Sequence, residues 1–310
     1  MEREFVDWLA EHLPSHPLLR LGIGDDAALL ALGAQSDSVV TTDLLADGTH
    51  FLVEETDPHW IGRKCLAVNL SDLAAMAAVP VAVVVSILLP REGAGRFDTL
   101  RLAQRLYEGM LPLAAEFEVA IAGGDTNVWD GRLAMSITAI GRTVARGPLL
   151  RSGGESGDRL LVTGELGGSL VGRHLTFTPR LHEAHQLHRE YDLHAGIDIT
   201  DGLAIDASRL ARASGLAAVI DTQNVPISAE AAQLAMAEGG QPLDHALADG
   251  EDFELLLAVA SDTAEELLKD QPLACGLTDI GELVADKGLW QSTADGARMP
   301  LPPKGYVHGR

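Results

Sequence analysis

Arg151-Ser152-Gly153-Gly154-Glu155-Ser156-Gly157-Asp158 divides the 310-residue chain into two series of alternating segments. Three glycines and two serines in eight residues favour turns over helix or sheet, the pattern of a linker. Directly after it, Arg159 to Thr163 reads as a strand, and Gly164-Glu165-Leu166-Gly167-Gly168-Ser169 reads as a turn opening a helix. Before it, Ser38 to Thr42 reads as a strand by its β-branched residues, and Val81 to Leu89 as a buried strand. Val119 to Ala122 and Leu133 to Ile140 read as further strands. Between them, Ile61, Cys65, Val68 and Met76 recur at helical spacing within Trp60 to Ala78. Arg96 to Glu118 is a long amphipathic helix that Pro112 is expected to kink or divide. Phe5, Leu9, His12 and Leu13 form a short N-terminal helix ended by Pro14. The expectation is an α/β protein of two domains, 1–150 and 151–310.

Composition narrows the function. Lys+Arg total 23 against 45 Asp+Glu, a formal net charge of -22. Such a chain repels phosphate backbones and anionic membranes, so neither nucleic acid nor a membrane is an expected partner. An anionic substrate would need another attractor, and divalent cations suit the carboxylates. The two cysteines, Cys65 and Cys275, make no zinc spacing and no disulfide framework, which fits a reducing cytoplasm. The acidic N-terminus lacks the basic start and apolar run of a signal peptide.

The aspartates fall in a pattern. Asp25 and Asp26 follow Gly22-Ile23-Gly24, Asp43 ends the Thr41-Thr42 strand, and Asp125 follows Gly123-Gly124. Asp198 and Asp201 flank Ile199-Thr200, and Gly250-Glu251-Asp252 precedes an apolar run. Asp is favoured at turns and caps, so any one of these reads equally as punctuation. Asp72 resists that reading, because a carboxylate amid Leu, Ala and Met on a helix is costly unless paired or metal-bound. Together they describe one site at the carboxyl ends of strands, suited to metal-assisted phosphoryl transfer.

There is no G-x-x-x-x-G-K-[ST] loop, and only four lysines occur, Lys64, Lys269, Lys287 and Lys304. Gly22-Ile23-Gly24-Asp25-Asp26-Ala27 imitates a dinucleotide fingerprint without a convincing strand before it. Gly164 to Gly168 could offer N–H groups to an anion, or be a plain tight turn. His182, His185, His188 and His194 read as a solvated helix face rather than a metal site.

These segments resemble the thiamine-monophosphate kinase family, within the aminoimidazole-ribonucleotide synthetase superfamily. The carriers are Gly22 to Asp26, Thr41 to Asp43 with His50-Phe51, Leu66 to Met76, Gly123 to Thr126, Arg151 to Gly153, Ile197 to Leu203, Gly250 to Leu255 and Lys304 to Tyr306. The resemblance implies a two-domain fold with mixed sheets, a homodimer joined through the N-terminal domains, and transfer from ATP to thiamine monophosphate. It implies several Mg²⁺ ions on Asp26, Thr41, Thr42, Asp43, Asp72, Asp125, Asp198 and Asp201. Nucleotide contacts are implied at Tyr107, Gly124, Asp125, Arg151 and Thr200, and acceptor contacts at His50, Glu251 and Tyr306. Pro303 stands where some members carry an aromatic residue. Within the superfamily, aminoimidazole-ribonucleotide synthetase is the alternative activity; outside enzymes, it is a nucleotide-binding scaffold. No catalytic base is implied.

Overall fold

The computed structural model describes residues 2–33, 36–292 and 296–306. In its first half, α1 (Glu2–His12) leads to β1 (Leu19–Leu21), β2 (Ala28–Leu30), β3 (Ser38–Ala46), α2 (Pro58–Ala75) and β4 (Val79–Pro90). Next come α3 (Thr99–Glu116), β5 (Ala120–Trp129) and β6 (Ala134–Arg142). The strands form one sheet in the order β1-β2-β3-β6-β4-β5, antiparallel except for the β4–β5 pair. Gly22 to Ala27 joins antiparallel β1 and β2 with no helix after it, so the dinucleotide fingerprint is a coincidence of letters.

In the second half, β7 (Arg159–Thr163) runs into α4 (Arg173–Thr176), α5 (Leu181–Glu190), β8 (Leu193–Asp198), α6 (Leu203–Ala213) and β9 (Ala217–Asp221). The remaining elements are α7 (Ala229–Glu238), α8 (Pro242–Ala248), β10 (Leu255–Val259), α9 (Ser261–Asp270), β11 (Leu277–Val284), β12 (Gly288–Ser292) and β13 (Arg298–Pro300). Their sheet runs β13-β12-β9-β11-β7-β10-β8, parallel only at β9–β12. Both sheets are mixed, as the resemblance implied.

The strand sequences explain how each sheet is covered. On β7, Leu161 joins one core cluster while Leu160 and Val162 join another; on β10, Leu255, Leu257 and Val259 part from Leu256 and Ala258 in the same way. A strand buried on both sides reads as an unbroken apolar run. By contrast β4 alternates, with Val83, Val85, Ile87 and Leu89 buried and Val81, Val84 and Leu88 exposed. The first sheet is therefore covered by helices on one face and open on the other.

Helix α2 lies between the halves, packed on β3 and β6 on one side and on α5 and β8 on the other. It is accordingly buried around most of its circumference, the expected state of a helix without a polar face. Its crossing with α3 is close: a Cβ at Gly62 would lie 2.0 Å from the carbonyl oxygen of Leu106, and one at Gly109 would lie 1.7 Å from that of His59. Pro112 does not divide α3, which is continuous through it.

The 151–158 stretch is pinned at several points. Gly154 N–H donates to Ser214 Oγ at 3.0 Å, and Ser214 Oγ donates to the carbonyl of Arg151 at 3.1 Å. Of the four histidines expected on a solvated helix face only His182 is exposed; His185 and His188 turn toward the first half, and His194 lies on β8 against Asp158. His185 Nε2 meets the Ala78 carbonyl at 2.9 Å, His188 Nε2 meets that of Gly147 at 3.0 Å, and His182 packs on Phe117. Their spacing matches the helical period that turns α5 toward the first half, and the carbonyls there take the ring nitrogens.

Candidate active site

Side chains alternate across β3, so Thr41 and Asp43 face α2 while Thr42 faces away. Thr41 Oγ1 donates to Asp72 Oδ2 at 2.5 Å, and Asp43 N–H donates to Asn69 Oδ1 at 3.1 Å. One residue before Asp72, Ser71 Oγ donates to Asp198 Oδ2 at 2.5 Å across the gap between the halves. Asp26 completes the group: carboxylate oxygens of Asp26, Asp72 and Asp198 lie within 4.8 Å of one another. Arg151 Nε donates to Asp26 Oδ2 at 3.1 Å, its Nη2 pairs with Oδ1, and its backbone N–H meets Asp25 Oδ2 at 3.1 Å.

Two of these carboxylates, Asp72 and Asp198, resist ionisation where they stand. Burial, then the charges of Asp43, Asp198 and Asp26, push Asp72 well above the usual carboxylate range. Burial and Asp26 do the same to Asp198, and burial lifts Asp43 to about 6. An all-oxygen donor set carrying excess negative charge fits a hard divalent cation.

Beside this cluster a cavity of about 1210 Å³ opens, lined from both halves by Asp43, His50, Asp72, Thr200, Asp201, Glu251 and Tyr306. Of the expected acceptor and nucleotide residues, His50, Glu251, Tyr306 and Thr200 therefore share one space. Glu251 sits on a strap hooked to the end of β8, with Glu251 N–H donating to the Thr200 carbonyl at 2.6 Å and Phe253 N–H to that of Ile199 at 2.8 Å. Both strap residues adopt left-handed backbone, φ 53° in each, a conformation costly for a residue with a Cβ and held here by tertiary contacts. The Tyr306 N–H ties the C-terminal segment to the Asp201 carbonyl at 2.8 Å.

Other expected residues stand apart from the three-carboxylate group. Asp201 Oδ2 pairs with Arg209 at 2.6 Å and is not part of the three-carboxylate group. Asp125 pairs in register with Ser86, which pairs with Ser136, on the open face of the first sheet. Thr42 faces the same way, near Ser136 and Thr138. Two strands separate β3 from β5, about 14 Å at the usual strand spacing. Gly124 is needed where it stands, since a Cβ there would lie 1.7 Å from the Val85 carbonyl. Tyr107 packs partly buried against the core on α3 and does not line the cavity. The N–H groups of Gly167 and Gly168 already donate to Asp252 Oδ1 at 2.9 Å and Asp249 Oδ2 at 3.1 Å, so the glycine turn holds carboxylates of its own chain.

Sequence reasoning missed three residues. Asp206, fully buried at the start of α6, accepts the N–H groups of Thr200 and Asp201 at 3.0 Å each and shapes the turn that carries them. Lys64, fully buried on α2, bonds Glu251, and His174 lies against the same carboxylate. The argument that singled out Asp72, a charge inside an apolar helix, applies equally to Lys64. His174 lies in a polar stretch with no such signal.

Comparison with known proteins agrees with this architecture. Residues 24–143 match the AIR synthase related protein, N-terminal domain, and residues 151–289 the corresponding C-terminal domain. A thiamine-monophosphate kinase of Rhodopirellula baltica is 40% identical over 100% of this chain and 98% of its own length. One from Salmonella typhimurium is 33% identical over 93% and 91%. A solved structure described as AaThiL complexed with AMPPCP and TMP superposes with TM-score 0.84 at 27% identity, covering 99% of this chain and 96% of that one. With both domains matched in order and its full length shared with such relatives, the chain belongs to the thiamine-monophosphate kinase family of AIR synthase related proteins.

Proposed function

We propose that the protein catalyses ATP-dependent phosphorylation of thiamine monophosphate to thiamine diphosphate, the last step of thiamine diphosphate biosynthesis. The observation that carries this is the convergence of Asp26, Asp72 and Asp198 from both halves beside a cavity bearing His50 and Glu251. Membership of the family and the likeness to a structure holding AMPPCP and TMP support the choice of substrates.

Several Mg²⁺ ions would be held by Asp26, Thr41, Asp43, Asp72 and Asp198, with Asp201 beside them after Arg209 releases it. Bound there, such ions would supply the positive charge that offsets the charge of the phosphates. The chain's own contributions are positioning and charge. Arg151 would meet nucleotide phosphate while holding Asp26, Thr200 would present its hydroxyl from the turn that Asp206 shapes, and Glu251 would face the cationic ring end of the acceptor. No base is required, because the acceptor phosphate is already ionised near neutral pH.

Residues 1–150 would form the ATP- and metal-binding half that also dimerises, and 151–310 the half that completes the site. The open sheet face supports a homodimer: Leu44, Val81, Val84 and Leu88 leave a broad apolar surface uncovered. A second copy there would also cover Thr42, Gly124 and Asp125, which supports a nucleotide or metal role for them in the assembly. Strong net negative charge supports the expectation of no nucleic-acid or membrane partner, and among the described residues no helix is long and apolar enough to cross a membrane. A cytoplasmic setting fits the free thiols of Cys65 and Cys275.

The test is chromatographic. The protein with ATP, thiamine monophosphate and Mg²⁺ should give one thiamine diphosphate per ADP, and none in excess chelator. Phosphorylation of free thiamine instead would sink the substrate assignment, and undiminished turnover in chelator would sink the metal assignment.

A further inference from the structure

Lys64 projects from α2 with a side chain that is 0% exposed. A buried ammonium is costly unless every proton finds a partner. Its Nζ lies 2.8 Å from the His50 carbonyl, 2.8 and 2.7 Å from the two oxygens of Glu251, and 2.9 Å from His174 Nδ1. His174 Nδ1 is also 2.9 Å from Glu251 Oε2. The ammonium's three protons thus go to the His50 carbonyl and the two Glu251 oxygens, joining the loop after β3 to the strap before β10, while His174 on helix α4 donates from Nδ1 to the same carboxylate.

All three partners line the large cavity, whereas Lys64 stands behind them. Asp72 lies eight residues further along the same helix, about 12 Å by helical rise, so Lys64 belongs to the end of the cavity away from the carboxylate cluster. Burial alone would raise Glu251, but the hydrogen bond from His174 and the charge of Lys64 outweigh it and hold the carboxyl below its ordinary value. The left-handed strap gives Glu251 no local reason to stay where it is; its side chain is held by Lys64 and His174.

We propose that Lys64 is a positioning residue for the acceptor: it presets the Glu251 carboxylate and the main chain at His50, across the two halves, to receive the cationic ring end of thiamine monophosphate. This rests on the kinase reading above. Such presetting removes part of the ordering penalty of binding, and its loss falls on acceptor affinity rather than on transfer.

Steady-state kinetics of the full-length protein, varying thiamine monophosphate and ATP separately, test this in Lys64→Met, Glu251→Gln, His174→Ala and the Lys64→Met/Glu251→Gln double variant. Lys64→Met should raise the acceptor KM at least about ten-fold, leave the ATP KM within about two-fold and change kcat little. His174→Ala should shift the acceptor KM in the same direction by a smaller factor. Because Lys64 acts largely through Glu251, the double variant should raise the acceptor KM by clearly less than the product of the two single effects. The double variant removes both charges of the pair, so its comparison with Glu251→Gln decides the matter even where Lys64→Met alone folds poorly. An unchanged acceptor KM in Lys64→Met, a parallel rise in the ATP KM, or full additivity in the double variant would each overturn the assignment. Absence of wild-type turnover would instead overturn the kinase reading on which it rests.

Discussion

Replacing Asp72 by asparagine should abolish most activity and yet stabilise the metal-free protein. Oxygens of Asp26, Asp72 and Asp198 lie within 4.8 Å of one another. At an effective dielectric constant of ~20, each like-charge pair at that separation costs about 3.5 kcal/mol, and burial adds to that cost for an ionised Asp72. Taking up a proton costs about 1.4 kcal/mol for each pH unit above the ordinary value of 3.8, or about 4.4 kcal/mol at pH 7. Protonation is the cheaper course, which agrees with the upward shift of Asp72.

Asparagine removes this penalty and weakens the hydrogen bond from Thr41, worth about 1 kcal/mol. The net gain is about 3 kcal/mol at pH 7, or about 5 °C in Tm for a chain of this length. The folded-state value is raised, so the carboxyl's contribution is most favourable below 3.8 and is lost as pH rises. At pH 5 the penalty falls to about 1.6 kcal/mol and the two proteins should melt within about 1 °C of each other. Thermal melts in excess chelator at pH 7 and pH 5 read both numbers, and kcat/KM with Mg²⁺ should fall at least about 100-fold. A variant melting below wild type at pH 7 in chelator, or one with wild-type kcat/KM, would refute the reasoning.

Gly62→Ala should lower stability by about 2 kcal/mol or more, because its Cβ would sit 2.0 Å from the Leu106 carbonyl and force α2 from α3; a lower urea midpoint at constant m-value checks it. Asp206→Ala should lower stability by about 3 kcal/mol, since it strands two backbone N–H groups and leaves Arg209 with Asp201 alone, and should raise the ATP KM through the Thr200 turn. Leu88→Lys on the open sheet face should convert a dimer to a monomer by light scattering; an unaltered mass would assign the dimer contact elsewhere.

Much of the fold was legible because burial writes itself into local pattern. Strand β10 is apolar throughout, and β7 from Leu160 to Val162, because both faces are covered, and α2 is buried around most of its circumference because it lies between the halves. Pro112 misled because its missing N–H does not end a helix held on its buried side by Leu106, Met110 and Leu113. The α5 histidines misled because polar spacing looks the same whether the face meets water or the carbonyls of Ala78 and Gly147.

By itself the sequence determined the chemistry at hand, hard oxygen ligands in one apolar helix and beside strands, and a break between two α/β series; the strand-end expectation holds for Asp198, while Asp43 and Asp125 lie within β3 and β5. Only the tertiary structure decided which of those oxygens meet. Ser71, the neighbour of Asp72, donates to Asp198 across 127 residues, while Asp125 lies on the opposite face of its sheet from Asp43. The reason is register and face: along a strand one residue's shift reverses the side to which a carboxylate points, and no spacing in the sequence records which side another half of the chain will cover.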